Sequence, residues 1–230
     1  MMNNTRLNEP SSISINQLCD FITASDRRKI SILKKQKFPS PFMITRYRVA
    51  RSCMKNFITN NFSYSEILKG IERLQSVKCS TDFAENDRKN SIKALEQFIH
   101  IKFPDYFKDK LFTFSKTEQG YILVNDVKII VSPDIILSWV ENGSKCIGGI
   151  KFHLSQSNIF DFEKSSFSAN MIRVFLEEVL CNNIGHIDEN FCLCVDVFGS
   201  RVCAASQELS GCKIKLEKAC IEIKDLWKTI

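Results

Sequence analysis

The sequence predicts an α/β (α+β) protein, with a small all-helical N-terminal region followed by a domain that combines strands and helices. Three observations predict it. Apolar residues recur at helical spacing up to about residue 103, and the periodicity changes after Pro104. Short β-branched or aromatic runs follow, separated by Gly, Asn and Pro. Two further helical patterns lie among and after those runs. The boundary is expected near "KCSTD", giving a basic helical region at 1–79 and a sheet domain at 80–230.

The elements follow in order. "SINQ" at Ser14–Gln17 has capping-box spacing, and Ile15, Leu18, Cys19 and Ile22 share one helical face. Ser25 is placed to cap a second helix from Asp26 to about Lys35, ended by Pro39 and Pro41. Thr45 is placed to cap a third. There Tyr47, Ala50, Met54 and Phe57 share one side, and Arg48, Arg51 and Lys55 form a basic stripe beside it. Ser63 and Glu66 make another capping box before Ile67, Ile71 and Leu74. In composition these helices fit a helix-turn-helix-like bundle, without its signature. A longer helix is expected from about Asp82 to Lys102, with Ile92, Leu95, Ile99 and Phe103 along its stripe and Glu96 at the edge. "LFTF", "GYILV", "VKIIV", "DIILSWV" and "KCIGGIKFHL" read as strands. "SFSANMIRVFLEEVL" reads as a helix, "FCLCVDVF" and "RVCAA" as a strand pair, and "CKIKLEKACIEIKDLWKTI" as a closing helix.

Composition narrows the function classes. Hydrophobic residues make up 44% of the 230, enough for a sizeable core. No stretch approaches the roughly 20 apolar residues of a membrane helix. The opening "MMNNTRLNEPSS" lacks the apolar centre of a signal peptide, so a cytoplasmic protein with no membrane partner is expected. The 10 cysteines form no C-x-x-C pair and read as small buried hydrophobes. There is no phosphate-binding glycine loop, no G-x-S-x-G and no readable Cys/His pairing.

Charge is uneven. The net charge is +6, yet no acid occurs between Asp26 and Glu66, where ten basic residues run from Arg27 to Lys55. Such a run repels itself, and a polyanion relieves the repulsion. The expected partner is DNA or RNA, with an acidic protein surface as the alternative. Candidate nucleic-acid contacts are Arg27, Arg28, Lys34, Lys35, Arg48, Arg51 and Lys55.

Asn142-Gly143 lies between two apolar runs and predicts a two-residue hairpin turn. That turn sets Val140 opposite Lys145, Ile136 opposite Gly149 and Asp134 opposite Lys151. An Asp134–Lys151 ion pair is therefore expected on one face of the sheet. Gly149 lies beside both, where a strand glycine marks a close approach.

"SPDIIL…GGIKFHL" resembles the core hairpin of the PD-(D/E)XK nuclease-like superfamily, over about residues 82–205. The resemblance implies a mixed β-sheet flanked by helices. It matches Pro133-Asp134 to the Pro-Asp element, Lys151 to the motif lysine and Glu96 to the acid on the preceding helix. It implies Mg²⁺ held by strand acids, Asp134 among them, with Lys151 stabilising developing negative charge. The chain departs from the pattern at Gly149, which stands where the second strand acid belongs. Glu96, Glu141 or Asp161 would then have to supply a ligand, and alternation points Glu141 to the other face from Asp134. Two readings result. One is a nucleic-acid-associated protein with a nuclease-like core and a Mg²⁺-dependent activity weakened or lost at Gly149. The other is a non-catalytic module, without cofactor, that binds nucleic acid or an acidic protein within a larger assembly.

Overall fold

The computed structural model describes residues 10–39, 46–180 and 185–230; the proposed cap Thr45 and Cys181 lie outside them. Strand β1 (Ser12–Ser14) leads into helices α1 (Ile15–Thr23), α2 (Asp26–Lys37), α3 (Arg48–Thr59), α4 (Ser65–Ser76) and α5 (Asp82–Phe98). Strands β2 (Thr113–Ser115), β3 (Tyr121–Val124), β4 (Val127–Ile130), β5 (Ile135–Glu141) and β6 (Ser144–His153) follow. Then come α6 (Phe162–Leu180), β7 (His186–Asp196), β8 (Arg201–Ala204) and α7 (Ser210–Trp227). No helix among the described residues is long and apolar enough to cross a membrane.

Five strands form one mixed sheet in the order β2-β5-β6-β7-β8. β6 and β7 are parallel and joined through α6, and the other neighbours are antiparallel. A second mixed sheet has the order β1-β4-β3. The fold is thus α/β, with mixed sheets flanked by helices.

The turn at Asn142-Gly143 forms as its residues dictate. Both have positive φ, 50° and 78°, as a primed hairpin turn requires. The register follows from it: Val140 faces Lys145 and Ile136 faces Gly149. Side-chain alternation then sends the two faces of β5 and β6 into different cores. Ile136 and Ile147 join α6, α1, α2, α7 and the small sheet. Leu137, Trp139, Ile150 and Phe152 lie under α3, α4 and α5.

This layering corrects the expected division at residues 79 and 80. The N-terminal region is neither all-helical nor separate. β1 pairs in parallel with β4, which satisfies its backbone, and a three-residue strand is too short to show a two-residue period. α1 packs on α6, while α4 packs on α5 across the proposed boundary. The caps differ as well. Neither Ser14 nor Ser25 caps through its side chain; the Ser14 N–H instead donates to Gln36 Oε1 at 2.9 Å. Tyr47, in the left-handed region at φ 58°, precedes α3. Thr81 provides a side-chain cap for α5, accepting from Ala84 N–H at 3.2 Å, and that helix ends at Phe98.

The described cysteines are free thiols, and most are buried. Cys192 and Cys194 share the α6-facing side of β7 and touch the first core.

Gly148 and Gly149 let β6 be approached closely from both sides. A methyl group at Gly148 would lie 2.5 Å from the Phe191 carbonyl oxygen, which is fixed backbone. One at Gly149 would meet Ile172 Cγ2 at 2.9 Å and Leu176 Cδ1 at 3.2 Å, side-chain atoms of α6 rather than backbone. Gly148→Ala should therefore destabilise more than Gly149→Ala, with overpacking costs of about 1–3 kcal/mol. Urea unfolding of the two variants checks the order, and Ile172→Ala should partly rescue Gly149→Ala alone.

Candidate functional site

Helix α3 turns Ala50, Met54, Phe57 and Ile58 into the second core. Arg48, Arg51, Ser52, Lys55 and Thr59 therefore form a polar stripe along its other side. Opposite stand Phe114, Ser115 and Lys116, at and just beyond the end of β2, and Asp134 and Ile135 where β5 begins. Together with Arg46 they enclose an open cleft of about 830 Å³. Its lining holds five cations, Arg46, Arg48, Arg51, Lys55 and Lys116, and among the described residues one acid, Asp134.

Asp134 is the floor of this cleft, with its side chain 5% exposed. Its backbone N–H donates to Ile150 O at 2.7 Å, and Oδ2 accepts the Phe152 N–H at 2.9 Å. The carboxylate so takes a place in the hydrogen-bond ladder just before the start of β5. Ser132, two residues earlier, has φ 41° and redirects the chain into this position. Arg51 Nη1 donates to Oδ2 at 2.7 Å and to Phe152 O at 3.2 Å, and Lys55 Nζ lies 3.7 Å from Oδ1.

The expected ion pair between Asp134 and Lys151 does not form. Lys151 shares a side of β6 with Ile147 and Gly149, whereas the Asp134 carboxylate bends toward α3 on the other side. Lys151 Nζ instead donates to the Ser132 carbonyl at 2.6 Å. Burial pulls its pKa down to about 8; Asp134 acts against this, while Arg51 and Lys55 add to it.

The remaining candidates are dispersed. Glu96 is exposed on α5 and lines a different hollow with Lys93, Gln97 and His100. Glu141, at the far end of β5, is bonded to Lys110 and to Trp139 Nε1. Asp161 Oδ1 accepts the Lys164 N–H at 2.8 Å at the start of α6. Arg27, Arg28, Lys34 and Lys35 lie on α2, which packs against β1 and α7 beside the first core. The long basic run is thus split between the two sides of the large sheet, and Arg48, Arg51 and Lys55 are the predicted contacts that reach the cleft. Arg46 belongs to the same run and joins them there. Lys116 carries no local signal, because the pairing of β2 with β5 brings it here.

These residues do not fit the Mg²⁺ centre that the nuclease resemblance implies. A magnesium ion seeks several oxygen ligands in near-octahedral array. The position for the second strand acid is filled from outside by Ile172 and Leu176, and Asp134 is already held by Arg51, Lys55 and Phe152. Among the described residues no three His, Cys, Asp or Glu side chains converge as a metal-holding group.

No protein-family model, curated protein or solved structure matches the chain.

Removing the Asp134 carboxylate leaves the Phe152 N–H without its acceptor and the Arg51 guanidinium without its counter-charge. Asp134→Ala should cost about 2–4 kcal/mol, and Asp134→Asn, which keeps an acceptor for Phe152, less. Equal unfolding midpoints for wild type and Asp134→Ala would contradict this anchoring role.

Lys151 makes a pH prediction with a definite sign. Between about 8 and the ordinary 10.5, the unfolded chain holds a proton that the folded chain has released. Stability from this group therefore rises with pH across that window and is flat below it. The stability difference between wild type and Lys151→Met should shift toward wild type from about pH 8 to about pH 10. Urea titrations at several pH values test this, and a constant difference would contradict it.

Proposed function

We propose that the basic cleft binds the phosphate backbone of a nucleic acid and holds it without cleaving it. The carrying observation is the convergence of five cations, from α3, the turn before it and the residue after β2, around one buried carboxylate. Asp134 positions Arg51 and Lys55 and offsets part of their charge. Arg46, Arg48 and Lys116 have no carboxylate partner among the described residues, so their mutual repulsion is left for a ligand to relieve. Three of the five cations are arginines, whose forked donors match phosphate oxygens. Contacts of this kind carry affinity and little sequence information. The concave shape favours a strand lying along the cleft over the flat acidic surface of a protein. A cytoplasmic location belongs to the same proposal, since buried thiols that stay unpaired suit a reducing compartment.

Fluorescence anisotropy with DNA and RNA oligonucleotides, in the presence of a chelator, tests the proposal. Binding should persist without divalent metal and weaken steeply with salt. The double variant Arg48→Glu and Lys116→Glu alters opposite walls and breaks no ion pair. It should lower affinity at least about tenfold and make the slope of log K against log salt shallower by about 2, since each neutralised phosphate contributes roughly 0.9. Unchanged binding in this variant would remove the cleft from consideration. Mg²⁺-dependent cleavage that Asp134→Ala abolishes would replace the proposal with a nuclease.

A further inference from the structure

Beyond the basic cleft, α3 and the segment leading into β2 border a second hollow of about 980 Å³. Its wall is aromatic, with Phe57, Phe62, Tyr64, Phe103 and Phe112 all contributing. The two spaces share both of their banks. On α3, Asn56 and Thr59 line the cleft while Phe57 and Ile58 line the hollow. On the facing segment, Phe114 and Lys116 line the cleft while Lys110 and Phe112 line the hollow. The Phe112 and Phe114 rings join them, with centroids 6.2 Å apart.

We infer that the cleft and the aromatic hollow form one groove for single-stranded nucleic acid, with phosphates on the cations and unpaired bases against the aromatic rings. The inference rests on the proposed phosphate-binding role of the cleft and names its substrate class. Two features of the hollow point to this occupant. Tyr64 is 47% exposed and stands 5.0 Å from Phe57, so one ring is open to stacking while another backs it. Lys102 is exposed on the same lining, with no carboxylate partner among the described residues, so the hollow also offers a charge to a passing phosphate. A lipid or an apolar peptide would use the rings but not the adjoining cations. A duplex would use the cations but keeps its bases stacked inside, away from the rings. A single strand uses both, and its stacking on aromatic faces tolerates any base.

The test compares a labelled oligothymidylate of about 15 nucleotides with a duplex of the same length, a size within the usual span of such grooves. Wild type should prefer the single strand by about tenfold, in line with the stacking of one base or more. Tyr64→Ala should bring the ratio of the two affinities close to one, and Tyr64→Phe, which keeps the ring, should restore it. Equal wild-type affinities, or a ratio that Tyr64→Ala leaves unchanged, would overturn the single-strand assignment and leave the phosphate cleft standing. Failure of both oligonucleotides to bind at low salt would overturn the cleft and the groove together.

Discussion

Burial of β6 on both faces is the constraint from which the rest of the molecule follows. Ile150 and Phe152 enter one core and Ile147 the other, so β6 belongs to two layers at once. A strand in that position has no free side for polar groups along its middle. Gly148 and Gly149 extend the constraint to its neighbours, since β7 and α6 approach where a side chain would stand. Charged side chains are therefore pushed to the ends of the central hairpin. At the turn end, Glu141 meets Lys110. At the other end lie Asp134 and Lys151.

Which cation Asp134 chooses is decided by direction. A carboxylate nearly removed from water needs several donors, and an unmet charge there costs several kcal/mol. The bend at Ser132 and the bond to Phe152 N–H aim the carboxylate along the sheet edge, toward α3. Arg51 can then satisfy Asp134 Oδ2 and Phe152 O with one guanidinium nitrogen. Lys151, pointing into the opposite layer, is left with a carbonyl as its hydrogen-bond acceptor. Its weakened basicity and the grip of Asp134 on α3 are two results of the same geometry. That grip ties the outer stripe of α3 to the start of β5, and the stripe forms one wall of the cleft.

Much of this is legible in the residues, and the failures have physical causes. The Asn142-Gly143 turn fixes the register because a primed turn accommodates both positive φ values, and the apolar alternation agrees with it. Most helices are legible because they bury one face at a 3.6-residue period, whereas α6 is buried nearly all round and reads as a helix by the length of its apolar run. The ion pair is not, because opposition across a ladder specifies side-chain direction only while both residues remain in regular strand. Asp134 lies one residue before the start of β5, where the regular alternation of side chains does not yet hold. The basic run does not form one surface because sequence proximity says nothing about which side of a sheet a helix covers. α2 docks on α7 through Lys29–Glu222 and the bonds from Lys37 to Trp227 and Ile230 carbonyls, whereas α3 lies over the second core. Lys116 is invisible in the sequence for the converse reason: its neighbours in space come from α3, far back in the chain.

The cleft carries an internal conflict that its surroundings sustain. Spread over a flat surface, like charges are screened within about 8 Å at physiological salt. Set in a concavity with low-dielectric walls, they are screened less, so each added cation raises the free energy of the others. Asp134 relieves this for Arg51 and Lys55, its two near partners, and not for Arg46, Arg48 or Lys116. The apolar contacts of α3, from Ala50 to Ile58, must then hold the helix in place against that repulsion. A ligand of the proposed kind, with regularly spaced negative charge, would lower that repulsion. Its affinity would then draw on repulsion already present in the folded protein as well as on the contacts it makes.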